Sequence, residues 1–95
     1  MFISNEDKVN ELPLFTLAEV SEHCYSNDCW IVLFDRVYDV TNFLQDHPGG
    51  EFIICEYAGG DATIQFRNAR HGIEAYEMMK KYCIGILIEV IVDFI

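Results

Sequence analysis

Basic residues are scarce in this chain: six Lys and Arg stand against sixteen Asp and Glu, a formal charge of −10. A nucleic-acid interface needs a basic face, so the composition argues against that class of partner. It fits a basic partner surface, or plain solubility. There are four cysteines but no C-x-x-C, so neither a zinc ribbon nor a thioredoxin-type redox site is indicated. Cys24 and Cys29 are close enough in sequence to pair, but the reading adopted is free thiols in a reducing compartment. Met1 to Asn10 is polar and acidic, with no apolar stretch of the kind a signal peptide has. The apolar run from Ile86 to Ile95 holds ten residues, with Glu89 and Asp93 among them, too short to span a bilayer. It reads as a strand, the stub of an anchor, or an interaction segment. What the chain does have is apolar mass: 52% hydrophobic residues, with seven Phe, five Tyr and one Trp in 95 residues. That makes one small globular domain.

Residues 1–11 read as a flexible lead-in, followed after Pro13 by a short strand at Leu14-Phe15. Thr16-Leu17-Ala18-Glu19 fits a capping box, with Thr16 as N-cap and Glu19 at N3. The helix it opens should end near His23, with Leu17 and Val20 facing inward and His23 left in solvent as a non-ligand. Ser26-Asn27-Asp28 is a turn. Trp30 to Phe34 reads as a buried strand, Asp35-Arg36 as a tight reversal, and Val37 to Val40 as the returning strand. Thr41 should cap a short helix, Asn42 to Gln45, that carries Phe43 and Leu44.

A corner follows. Pro48 has no N–H and biases the preceding residue away from helix, so His47 ends the helix before it. Gly49-Gly50 turns the chain into a new helix bearing Phe52, Ile53, Ile54, Tyr57 and Ala58 on a broad apolar face. Gly59-Gly60 breaks that helix, and Asp61 or Thr63 caps the next. Ala62, Phe66 and Ala69 form one stripe leading to a second histidine at a helix boundary, His71-Gly72. Ala75, Met78, Met79 and Tyr82 repeat on the following helix, and Cys83 to Ile86 closes as a strand.

Two helix pairs therefore flank a pocket, and each delivers one histidine from its corner. The expected walls are Leu33, Val40, Phe43, Ile53, Ile54, Phe66, Ala69 and Met78, all apolar. Apolar stripes alone would make an ordinary core. Two imidazoles facing each other from rigid corners would clamp a metal centre, and a haem iron with two axial imidazoles fits that geometry. No C-x-x-C-H occurs, so such a haem would be held non-covalently.

Trp30, Val37-Tyr38-Asp39-Val40-Thr41, Phe43, His47-Pro48-Gly49-Gly50, Ala58-Gly59-Gly60-Asp61-Ala62-Thr63, Phe66 and His71 together resemble the cytochrome b5 family, over residues 12–87. The resemblance implies an α+β fold, with a small mixed β-sheet and two helix pairs forming a haem pocket. It implies haem b with His47 and His71 as axial ligands. Pro48, Gly49 and Arg70 join the expected cofactor contacts, Arg70 as a partner for a haem propionate. It implies an electron-transfer protein and not an enzyme, passing single electrons from a reductase to an acceptor enzyme or cytochrome. A monomer is expected, cytoplasmic, with the cytosolic face of the endoplasmic reticulum as the more specific location. The membrane anchor many members carry is not in this chain, and residues 88–95 are left as an apolar tail.

Several positions depart from the family pattern. Arg67-Asn68-Ala69-Arg70 stands where acidic residues are common, Gly72 where a serine often follows the second histidine, and Phe52 where an acid is frequent. These leave haem binding intact but put the usual acidic docking surface in question. The competing reading is a haem- or ligand-binding regulatory module without electron transfer; relatives of that kind generally lack the histidine pair. A structural interaction domain without haem is the third.

Overall fold

The computed structural model describes residues 11–46 and 51–88. The elements run β1 (Leu14–Thr16), α1 (Leu17–Ser21), β2 (Cys24–Tyr25), β3 (Asp28–Leu33), β4 (Arg36–Asp39), α2 (Thr41–Asp46), α3 (Glu51–Glu56), α4 (Thr63–Asn68), α5 (Ile73–Met79), a 3₁₀ turn (Lys80–Tyr82) and β5 (Cys83–Ile88). The strands form one mixed sheet in the order β1-β5-β4-β3-β2, with β1 and β5 parallel and the other pairs antiparallel. The fold is α+β.

The period of two along β3 sends side chains to both sheet faces. Cys29, Ile31 and Leu33 point to one side and join Tyr38, Val40, Phe43, Leu44, Ala62, Met79 and Cys83 in a core under α2 to α5. Val32 faces the other way, with Val20 and Val37, against Phe15, Trp30, Ile84 and Leu87. No polar or charged residue is fully buried among those described. The sheet thus separates two apolar layers, and the larger one supports the helices.

The Thr16 capping box forms as read: Glu19 N–H donates to Thr16 Oγ1 at 3.1 Å, and Thr16 N–H donates to Glu19 Oε1 at 3.1 Å. The helix stops at Ser21, and Val20 is buried, but Leu17 is 50% exposed, contrary to the inward placement expected. A helix of five residues buries one narrow face, and the first turn falls outside it. β2, pairing Cys24 with Cys29 and Tyr25 with Asp28, was not foreseen; all four cysteines are free thiols.

The hairpin reversal lies one residue earlier than read. Leu33 pairs with Arg36, which leaves Phe34 and Asp35 as the two-residue loop, at φ 51° and 62°. Positive φ at both positions is the type I′ turn, whose twist suits the flanking strands. Arg36 is therefore the first residue of β4, and Phe34 is a half-exposed turn residue instead of a strand residue.

Two Asp-x-Thr turns attach the helices to opposite ends of β3. Asp39 Oδ1 accepts from Thr41 N–H and Oγ1–H at 3.1 and 2.6 Å, and Thr41 Oγ1 accepts from Cys29 N–H at 2.9 Å. Asp61 Oδ1 accepts from Thr63 N–H and Oγ1–H at 2.9 and 2.6 Å, and Thr63 Oγ1 accepts from Phe34 N–H at 2.9 Å. Neither threonine caps its helix in the manner expected. Thr41 is already helical, and Ala62 occupies the N-cap of α4 with no side-chain cap bond. Between the two turns, Gly59 (φ 78°) donates its N–H to Trp30 O, and Gly60 O accepts from Val32 N–H, which docks the end of the α3 segment on β3. A Cβ on Gly59 would lie 2.9 Å from Cys24 Cβ.

β5, read as a closing strand, lies inside the sheet between β1 and β4. Its Gly85 allows β1 to approach: an added Cβ would lie 2.7 Å from the Pro13 carbonyl oxygen. Ile86 to Ile88 belong to this strand, paired with Leu14 to Thr16. Residues 89–95 lie outside the described residues, so of the tail readings the strand applies to its first part. No helix among the described residues is long and apolar enough to cross a membrane.

Candidate functional site

Above the larger core, four helices and the sheet enclose an apolar cavity of about 270 Å³. Leu33 and Val40 form its floor, Phe43 comes from α2, Ile53 and Ile54 from α3, Phe66 from α4 and Met78 from α5. Ala69 and His71 reach it from the α4–α5 corner. Every wall residue expected from periodicity lines this one cavity. Ile31, Ala75 and Met79 line it too. They were not assigned to it from sequence, although each had a signal. Ile31 is two residues from Leu33 on the same strand face, and Ala75 and Met79 share the α5 stripe with Met78.

His71 is the one polar side chain among the described residues of this wall. α4 ends at Asn68, and Arg70 takes φ 55°, which turns the chain before Gly72 begins α5. The His71 ring is stacked on Phe66, with centroids 4.3 Å apart and planes 20° from parallel. Phe66 meets Tyr76 edge-on at 5.0 Å, so the imidazole rests on a supported ring. His47, Pro48 and Gly49 lie outside the described residues. Arg70 is exposed and is not part of the cavity lining. Gly72 leaves open space where a side chain would stand, so packing does not demand glycine there.

The donor set fits a flat, largely apolar group with a metal at its centre. Among the described residues, eleven apolar side chains and one imidazole line the cavity, with no carboxylate among them. At the mouth, Ile53 is 62% and Met78 38% exposed, apolar surface that such a group would cover. No cluster of three or more His, Cys, Asp or Glu capable of holding a bare metal ion occurs among the described residues. Gln65 Oε1, in a smaller recess bordered by Ile54, Tyr57 and His71, is a buried acceptor without a hydrogen-bond partner among the described residues.

His23 departs from its expected place in solvent. Its ring is stacked on Trp30 at 3.5 Å and 6°, and Nδ1 lies 2.8 Å from Asp28 Oδ1. A carboxylate only accepts, so Nδ1 carries the proton. The pair clips the end of the α1 segment to β3, away from the cavity, and leaves His23 with a structural role.

The model of the cytochrome b5-like haem/steroid-binding domain matches residues 16–88. Cytochrome b5 isoform B of Arabidopsis thaliana is 49% identical over 76 residues, 80% of this chain and 57% of that protein. Cytochrome b5 of Drosophila melanogaster is 48% identical over 79 residues, 83% of this chain and 59% of that protein. The chain thus spans less than two thirds of the length of these relatives. Among solved structures, cytochrome b558 of Ectothiorhodospira vacuolata, a prokaryotic homologue of cytochrome b5, superposes with a TM-score of 0.74 at 32% identity, covering 80% of this chain and 99% of that one. Cytochrome b5 of Ostreococcus tauri virus 2 gives a TM-score of 0.69 at 36% identity, covering 78% and 95%. With the domain model matched from β1 to β5 and the apolar cavity built by the same elements, the chain belongs to the cytochrome b5-like haem/steroid-binding family.

Proposed function

We propose that this chain is a one-electron carrier in which His47 and His71 would hold the iron of haem b. The observation that carries this reading is an imidazole, His71, set among apolar side chains in the described wall of the cavity and braced by Phe66. His47 stands at the other corner in sequence. Leu33, Val40, Phe43, Ile53, Ile54, Phe66, Ala69 and Met78 would pack on the macrocycle, Pro48 and Gly49 would border it, and Arg70 would reach a propionate. The bound group supplies the redox chemistry, a one-electron change at iron. The protein's part is to hold both imidazoles, shut out a third iron ligand and exclude water with apolar walls. The partners proposed are a reductase as donor and a redox enzyme or cytochrome as acceptor, met by a monomer at the cytosolic face of the endoplasmic reticulum. The domain carrying this activity is placed at residues 12–87.

The test is spectroscopic. Holoprotein should show a sharp low-spin reduced spectrum that carbon monoxide leaves unchanged. His47→Ala and His71→Ala should each weaken haem retention and admit carbon monoxide. Two single variants that both keep the parent spectrum would overturn the ligand assignment. A regulatory module without electron transfer would instead hold haem yet fail to exchange electrons with a reductase.

A further inference from the structure

The β2–β3 hairpin sets two cysteines face to face. Cys24 and Cys29 are directly opposed in its register, and Tyr25 pairs with Asp28 beside the turn. Trp30 N–H donates to His23 O at 2.9 Å, so residues 23 and 30 are joined by a ladder hydrogen bond. Hydrogen-bonded and non-hydrogen-bonded pairs alternate along an antiparallel ladder, which makes Cys24 and Cys29 a non-hydrogen-bonded pair. In such a pair the Cα atoms lie about 4.5 Å apart, and both side chains stand on one face of the sheet. A disulfide spans Cα atoms about 4.4–6.8 Å apart and Cβ atoms about 3.5–4.5 Å apart. Directly opposed Cβ atoms lie about 4.5–5.5 Å apart, closest in non-hydrogen-bonded pairs, so little movement is needed to join them.

The surroundings separate the two thiols by access. Cys24 is exposed on the edge strand of the sheet, whereas Cys29 is wholly buried one strand further in. Gly59 faces the Cys24 Cβ and brings no side chain there. The Cys29 backbone is held by its N–H bond to Thr41 Oγ1. Neither cysteine lines the apolar cavity, so the pair is separate from the site described above.

We propose that Cys24 and Cys29 form a disulfide modification site, closed by exchange with a small-molecule disulfide of the glutathione class. The Cys24 thiolate attacks one sulfur of the small disulfide, breaking its S–S bond and expelling one thiolate. The Cys29 sulfur, on losing its proton, then attacks the Cys24 sulfur and expels the second. Each departing thiolate takes up a proton that a cysteine has lost. The pair is oxidised by two electrons, and the small disulfide is reduced to two thiols. Burial of Cys29 fixes the order, since only Cys24 meets the reagent in the folded chain. Excess small thiol reverses both steps. The bond ties the edge strand β2 to β3 and withdraws the exposed thiol from further reaction.

The full chain would be equilibrated without oxygen in glutathione buffers of rising disulfide content. It would then be quenched in acid, unfolded, alkylated with N-ethylmaleimide and mapped by mass spectrometry. Chymotrypsin cuts after Tyr25, so the two cysteines leave on separate peptides unless they are joined. The expected product is a linked Cys24–Cys29 peptide pair, two hydrogens lighter than its parts. It should rise with glutathione disulfide and disappear when reduced glutathione is restored. Cys24→Ser should abolish it and leave Cys29 as a thiol. Cys55, packed against the core that holds Cys29, is the competing partner, and Cys55→Ser should leave the link unchanged. A Cys29–Cys55 link, a chain-to-chain link through Cys24, or glutathione held on Cys24 with Cys29 still a thiol at the highest disulfide content would each overturn the site.

Discussion

The Cys29 side chain is wholly buried at the start of β3, and its thiol is pushed up from 9.0 to about 11, first by burial and then by Cys55, Asp39 and Asp28. The folded chain therefore holds this proton more tightly than the unfolded one. The resulting stability is complete below about pH 9 and is lost as pH rises through 11. Cys24, its exposed partner in the β2–β3 register, has no such protection from solvent. At pH 8, iodoacetamide should label Cys24 long before Cys29, with Cys29 reacting only as the fold opens. Peptide mapping by mass spectrometry would show this, and equal labelling rates would contradict the burial of Cys29. At the same scale, His71 and His23 show how one residue type takes two roles. Each is stacked on an aromatic ring, but His23 has a carboxylate on Nδ1, whereas His71 faces apolar walls.

Among the elements, the two Asp-x-Thr turns use one hydrogen-bond pattern in different surroundings. Thr41 Oγ1 satisfies the N–H of the fully buried Cys29, whereas Thr63 Oγ1 satisfies the N–H of Phe34 in an exposed turn. Removing an acceptor from a buried donor costs about 1–3 kcal/mol, while an exposed donor recovers a bond from water. Thr41→Val should therefore lower stability by about 1–3 kcal/mol, and Thr63→Val by less than about 1.5 kcal/mol. Urea unfolding of both variants checks the order. A Thr63 variant as damaging as the Thr41 variant would show that the second turn holds more than one hydrogen bond. The α4–α5 corner depends on the second turn: Asp61-Ala62-Thr63 sets where α4 starts, and α4 carries Phe66 up to His71.

For the whole molecule, much of the larger apolar layer faces the cavity, so the proposed haem acts as part of the core. A ligand that binds only the folded state stabilises it by RT ln(1 + [L]/Kd), about 4 kcal/mol at a thousandfold excess over Kd. Holoprotein should accordingly melt well above apoprotein, and equal midpoints in calorimetry would refute a cofactor in this cavity. The surface bears on partner choice. Arg67 and Arg70 are exposed on and just after α4, on the segment that leads to His71. Two positive charges there would slow encounter with a basic acceptor, since interface charge chiefly sets association rate. Changing both to Glu should speed reduction of a basic acceptor at low salt, with the gain shrinking as ionic strength rises. Stopped-flow rates across a salt series would show this; an unchanged rate and salt slope would place both arginines outside the docking surface.

Local chemistry determined much of this protein from the sequence alone. The Thr16 capping box, the β3–β4 hairpin, the stripe from Ala62 through Phe66 to Ala69, and the residues that converge on one cavity all follow from short-range periodicity and capping. These are properties of neighbours a few positions apart. Tertiary structure decided what depends on pairing between distant segments. The register of β3 against β4 moved the reversal to Phe34-Asp35, because hairpin twist selects positive φ at both loop positions. The docking of the α1 segment on β3 put Trp30 and Asp28 beside His23 and left its side chain only 28% exposed. Sheet order placed β5 inside the sheet, where a parallel partner from the start of the chain is added to its antiparallel one. Strand register likewise set Cys24 opposite Cys29, since their spacing permits the pairing but only the hairpin's hydrogen bonds decide which residues face each other.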